Sequence, residues 1–192
     1  MISVIVVFAI VTVLSCPTEA GYQNTFEATK GCLKYNSHQG YKFTHPYFST
    51  GAYRNVRRGP NNATEFRFGV LGDHDGIFRL APVQNPYDST LMHEIVLSGW
   101  AGTKTDVRRY VRTSPSEMNN YSMFKIQSSY GLLSQFDPLM FTLTIYSNGS
   151  AKLAKDGDKY PFFEFQDSTL SFRYIGFCNW NVPVIYFFDC PL

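Results

Sequence analysis

The chain has 192 residues, with 17 Lys and Arg against 15 Asp and Glu, a formal charge of +2. Charged residues make up 17% and aromatics another 17%, led by 17 Phe and 13 Tyr. These proportions exclude a disordered, collagenous or coiled-coil chain, and so small a charge excludes a general attraction to nucleic acid. They favour an aromatic-rich, all-β protein of one domain.

The first element is a leader. Residues 2–14 form an apolar run broken only by Ser3 and Thr12. About a dozen apolar residues suit the core of a signal peptide and are too few to cross a bilayer. We therefore expect a signal peptide over 1–20, cut after Ala20 or, alternatively, after Ser15. Glu19 leaves with it and no basic residue does, so the mature chain would carry +3. Nothing later is long and apolar enough for a membrane span, so the product is expected to be secreted and extracellular. Three glycosylation sequons fit that route, at Asn62, Asn120 and Asn148.

Four cysteines are present, Cys16, Cys32, Cys178 and Cys190. A cut after Ala20 removes Cys16, leaving Cys32, Cys178 and Cys190 as candidates for one bridge and one free thiol, in any of three pairings. Cys178 and Cys190 frame the last two expected strands. The spacing offers no CxxC or His/Cys cluster, and no metal site is expected.

Residues 21–61, rich in Tyr, His, Gly and Asn, have poor periodicity and are expected to be an N-terminal segment packing on a sandwich formed by 62–192. From Glu65 onward apolar residues alternate. Phe66, Phe68 and Val70 share a face, then Phe78 and Leu80 after an acidic turn at residues 72–76. Ser114–Ser122, with Pro115 and Asn119-Asn120, reads as the most exposed long loop. Phe141, Leu143 and Ile145 alternate up to Asn148-Gly149, which predicts a type I′ hairpin with both central residues at positive φ. Ala151 and Leu153 return, Phe163 and Phe165 follow, and residues 174–177 and 184–188 close the chain. Short strands at close, even spacing predict an antiparallel β-sandwich or jelly roll.

The stretch from His93 to Arg109 reads strand, glycine-bearing turn, strand. A hairpin symmetric about Ala101 puts Glu94 opposite Arg108 and Ile95 opposite Val107. Glu94 and Arg108 are then either a structural ion pair fixing register or the lining of a pocket, with Trp100 as a stacking platform and Lys104 beside it. In a strand, His93 and Glu94 point to opposite faces and cannot share one metal, and Arg108 and Arg109 likewise do not form a patch.

This stretch resembles the core signature of the farnesoic acid O-methyltransferase-like domain of arthropod proteins. Glu94, Ile95, Gly99, Trp100, Thr103 and Arg108 match it, with Ser98, Gly102 and Thr105 in place of a glycine, an asparagine and a serine. The likeness extends in order over about residues 64–189, through residues 66–82 with Asp75 at an acidic position, Asn148-Gly149, Pro161-Phe162 and Tyr174–Phe177. It implies a β-sandwich, and its name implies methyl transfer from S-adenosylmethionine to farnesoic acid, with Arg108 holding the carboxylate. The residues themselves show no strand–glycine loop–helix unit. Gly72, Gly76, Gly99 and Gly102 read as turn glycines needing positive φ. The expected function is accordingly a non-catalytic recognition module for an extracellular glycan, lipid or protein, with no cofactor; methyl transfer is the alternative.

Overall fold

A computed structural model describes residues 24–192; the leader, Cys16 and both expected cleavage points lie outside the described residues. In chain order the first seven strands are β1 (Leu33–Ser37), β2 (Tyr47–Ser49), β3 (Arg57–Arg58), β4 (Thr64–Leu71), β5 (Gly76–Ala81), β6 (Leu91–Ser98) and β7 (Lys104–Ser114). They continue with β8 (Glu117–Ser128), β9 (Leu139–Ile145), β10 (Ser150–Lys155), β11 (Phe163–Gln166), β12 (Tyr174–Cys178) and β13 (Val184–Phe188). One sheet has the order β1-β13-β4-β9-β10-β11, with β3 on β4, and the other β2-β12-β5-β6-β7-β8. The strands pair antiparallel throughout. The two stacked sheets make a β-sandwich, and β1 and β2 are members of them rather than a separate layer.

Alternation produces the core. Phe66, Phe68 and Val70 of β4 and Phe141, Leu143 and Ile145 of β9 face Phe78 and Leu80 of β5, Ile95 and Leu97 of β6, and Phe177 of β12. The rings meet edge-on, Phe68 to Phe78 and Phe78 to Phe177 both at 5.4 Å between centroids, an arrangement worth about 0.5–1.5 kcal/mol per pair beyond burial. A polar bolt joins the layers. His93 Nε2 of β6 and Arg109 Nη1 of β7 reach Asp167 Oδ2, just beyond β11, at 2.8 and 3.0 Å.

Two expectations are corrected, and a pairing left open is decided. Residues 114–122 are not a loop: β7 and β8 run through them and turn at Pro115-Ser116, with register shifts along the pair and Asn120 at φ 52°. The residues that suggested a loop are accommodated by the bulges, which let a strand carry such residues along a sheet edge. The tip at Asn148-Gly149 is not type I′, because only Gly149 has positive φ (80°); Gly149 N–H donates to the Tyr146 carbonyl, giving a type I turn followed by a left-handed glycine. Finally, Cys32 bonds to Cys190 across neighbouring β1 and β13, leaving Cys178 as a buried free thiol. Cys178 sits on the outward face of β12 with Tyr41, Ile77 and Val96, away from that pair.

Asn62, Asn120 and Asn148 are all exposed. Among the described residues no helix is long and apolar enough to cross a membrane.

Candidate functional site

The outer face of the second sheet is polar where an ordinary sandwich face would be solvated. Because Val107 turns inward, Asp106, Arg108, Tyr110 and Arg112 of β7 all project outward, beside Glu94 of β6 and Arg79 of β5. Glu94 lies opposite Arg108 and Ile95 opposite Val107. Glu94 is fully buried and accepts from Arg79 Nε at 2.8 Å, from Tyr41 Oη at 2.8 Å and from the Tyr110 hydroxyl, with Arg108 Nε 3.4 Å away. Burial opposes its charge, but Arg79, then Arg108 and Arg112, and the Tyr110 hydroxyl hold its carboxyl below the usual value. Arg112 has two guanidinium nitrogens with no hydrogen-bond partner among the described residues; its plane instead lies over the Tyr41 and Tyr110 rings at 4.6 and 5.0 Å.

Tyr41 comes from the connection between β1 and β2, which lies across this face. Besides donating to Glu94, it accepts at its carbonyl from Arg79 Nη2 and packs its ring on Trp180 at 4.6 Å. Trp180, in the turn between β12 and β13, is thereby held against Tyr41 with half its surface exposed.

Trp100 is positioned by the β6–β7 turn. Ser98, Trp100, Ala101 and Gly102 have φ of 51°, 58°, 55° and 82°. For the three L-residues this left-handed backbone costs on the order of 1–2 kcal/mol each. The turn is held by Thr103 N–H donating to the Gly99 carbonyl at 3.0 Å and Thr103 Oγ1 to the Trp100 carbonyl at 2.8 Å. Such strain persists where the surroundings over-determine it, and it clusters at ligand sites. Of the four turn glycines only Gly102 has positive φ. Gly99 answers to space instead, since a Cβ there would stand 2.8 Å from Val96 Cγ1. The result is a 56% exposed indole, fixed by its Nε1–H donating to Asp106 Oδ2 at 3.1 Å, with Lys104 Nζ 5.5 Å from its ring centre.

Between the two tryptophans opens a cavity of about 450 Å³, lined by Trp100, Trp180, Asn181, Arg108, His74 and Asp75 among others. Arg108 is set on its floor by Asp106 Oδ1 at 3.0 Å as well as by Glu94. Burial raises the Asp106 carboxyl against the pull of Arg108 and of the Trp100 and Arg108 hydrogen bonds. His74 Nδ1 and Asp75 Oδ2 are 2.6 Å apart. The acidic turn is thus partly enclosed, not merely solvated: Asp75 is buried and its backbone N–H donates to the Ser98 carbonyl at 3.0 Å. A wall of two indoles with a fixed floor of charge and amide can stack the apolar face of a ring and hydrogen-bond its edge.

Of the residues singled out from sequence, Trp100 and Arg108 line the cavity, Lys104 flanks it and Glu94 lies beneath it, tied into the ion cluster. Trp180, Tyr41, Asp106 and Arg79 were not foreseen. Asp106 and Arg112 share the alternation that placed Arg108, whereas Trp180 and Tyr41 carried no local signal. Among the described residues no group of three or more His, Cys, Asp or Glu could hold a metal ion.

The solved structures the fold is similar to include a β-glucanase of Bacillus licheniformis, at 15% identity, TM-score 0.39, covering 81% of this chain and 95% of that one. A β-1,3-1,4-glucanase (lichenase) from a mouse hindgut metagenome is similar at 9% identity, TM-score 0.35, covering 81% and 96%. No curated protein matches the chain. The family model described as farnesoic acid O-methyl transferase matches residues 41–192, so that it takes in both tryptophans, the ion cluster and most of the sandwich, and the chain belongs to that family.

Proposed function

We propose that the protein is a secreted recognition module that binds a glycan between Trp100 and Trp180. The observation carrying this reading is that both tryptophans of the chain, each about half exposed, stand on the rim of one cavity over an immobilised Arg108–Asp106 floor. Half-exposed indoles suit the C–H face of a sugar ring, and Asn181, His74, Asp75 and Arg108 suit its hydroxyls. Strain at Trp100 supports the same reading, since its left-handed backbone serves no packing need of a half-exposed side chain. The sequons at Asn62, Asn120 and Asn148, the Cys32–Cys190 bond and the expected leader suit an extracellular setting.

The family description suggests methyl transfer instead, with Arg108 gripping a terpenoid carboxylate. The residues do not fit an adenosyl donor. Among the described residues the strands pair antiparallel, so no crossover there presents a glycine loop and helix N-terminus to a nucleotide. Gly99 packs on its own Val96, and the Phe-rich interior is filled by its own rings. Arg108 is also already engaged by two carboxylates. No methyl-transfer step is derived.

The test is a printed glycan array followed by titration of the best hit. Binding is expected to be lost in Trp100→Ala and in Trp180→Ala with thermal unfolding within a few degrees of the parent. Binding that survives both substitutions, or specific hits confined to lipid or protein arrays, overturns the glycan reading.

A further inference from the structure

The cavity at Trp100 does not end at Trp180. A second cavity of about 350 Å³ is lined by His38, Gln39, Lys42, Phe43, Asn179, Trp180 and Asn181 among others, so the two share Trp180 and Asn181. Together they form one trough that crosses Trp180. It begins at exposed Trp100 and ends at Phe43, which is 58% exposed. Each half lies at the small end of ordinary ligand sites, so a single sugar fills neither the trough nor its row of three aromatic platforms.

The trough is also unevenly charged. Asp75 is engaged by His74, and Arg108 by Glu94 and Asp106. Lys42 and Lys104 are exposed and lie within no ion-pair distance of a carboxylate among the described residues. Lys42 lines the second cavity beside Phe43, and Lys104 flanks the first, its Nζ 5.5 Å from the centre of the Trp100 ring. His38 also lines the far end. Free cations spaced along an aromatic trough complement a chain that alternates apolar ring faces with anionic substituents.

We propose that the ligand is an acidic oligosaccharide, bearing carboxylate or sulfate, long enough to cross Trp180 and occupy both cavities. This rests on the glycan reading above and deepens it. Phe43 and Lys42 become determinants of chain length and charge, while Trp100 and Trp180 serve every ligand.

The experiment is calorimetric titration of the full chain with three probe series. These are chondroitin di-, tetra- and hexasaccharides without sulfate, the same lengths with sulfate, and the neutral hexamer of N-acetylglucosamine. Affinity is expected to rise at least tenfold from di- to hexasaccharide in one acidic series, with the neutral hexamer at least tenfold weaker. Which series gains more distinguishes uronate from sulfate. Phe43→Ala and Lys42→Gln are each expected to weaken the hexasaccharide about fivefold and leave the disaccharide unchanged. Both sites are exposed, so folding is retained. Affinity independent of length, a neutral hexamer that binds as well, or no effect of Phe43→Ala overturns this inference and leaves the Trp100–Trp180 site standing. Absence of binding by every series, together with an empty glycan array, overturns both.

Discussion

The hydroxyl of Tyr41 donates to the Glu94 carboxylate at 2.8 Å, and Tyr41 also bears the ring on which Trp180 rests at 4.6 Å. One side chain from the β1–β2 connection thus joins the charge beneath the cavity to its wall. Glu94→Gln should leave Arg79, Arg108 and Arg112 with only Asp106 as counter-charge. Removing one partner of a buried ion cluster costs about 3–5 kcal/mol. For a chain of this size that is a Tm lower by roughly 10 °C. Tyr41→Phe should lose about 1.5–3 kcal/mol, as for a hydrogen bond to a charged group. Calorimetric melting of both variants checks the order. Glu94→Gln melting with the parent would remove the cluster from the account of stability.

The strained turn separates binding from folding. At Trp100 and Ala101 φ is 58° and 55°, values a glycine adopts without penalty. Ala101→Gly should therefore raise stability by up to about 1 kcal/mol and keep ligand binding. Trp100→Gly should melt within about 1 kcal/mol of the parent, because relief of the backbone offsets lost contacts of a half-exposed ring. It should also abolish glycan binding. Chemical denaturation and titration of the same samples decide the matter.

Acid should loosen the joint between the sheets. Burial raises the Asp167 carboxyl, but the His93 hydrogen bond and those from Thr169 outweigh it and bring it from an ordinary 3.8 down to about 2. Burial holds His93 below its ordinary 6.5, partly offset by Asp167. Both folded values are depressed, so both groups stabilise the fold above their unfolded values and that stability is lost as pH falls. The decline should begin below about pH 6.5 as His93 is drawn to protonate in the unfolded chain, and steepen from about pH 4 toward 2. His93→Gln should reduce the first part of the profile, leaving the share of His45, which burial also holds below its ordinary value. A Tm unchanged between pH 7 and 3 would contradict the assignment.

Cysteine chemistry should divide cleanly. Replacing Cys32 and Cys190 together by Ser should cost about 2–5 kcal/mol, since the bond closes a loop spanning 158 positions. Cys178 is buried without exposure and its thiol is pushed up to about 12, by burial above all. It should react with a thiol reagent only when denaturant opens the fold. Reaction in the native state at neutral pH would show that the β1–β2 connection lifts from this face.

Much of the fold is legible in the sequence because packing between sheets imposes a two-residue period, and Phe66–Val70, Phe141–Ile145 and Leu153 display it. The β8 strand is not, because its exposed edge position and its bulges relax both alternation and the bar on Asn, and Pro115 falls in the turn before it. Within the site, the facing of Glu94 and Arg108 follows from hairpin symmetry, a local property. Trp180, Tyr41 and Arg79 arrive from distant strands and connections, and only the closure of the sandwich brings them to Arg108. The pairing of Cys32 with Cys190 depends likewise on β1 lying beside β13, which no spacing announces.

The sequence contains two tryptophans, and both stand at the cavity mouth. Light absorbed selectively by indole is therefore re-emitted from this one place. An occupant that strips water from the rings should shift the emission colour of the whole molecule. Native protein thus carries an unlabelled optical gauge of occupancy, with which purified oligosaccharides can be screened drop by drop.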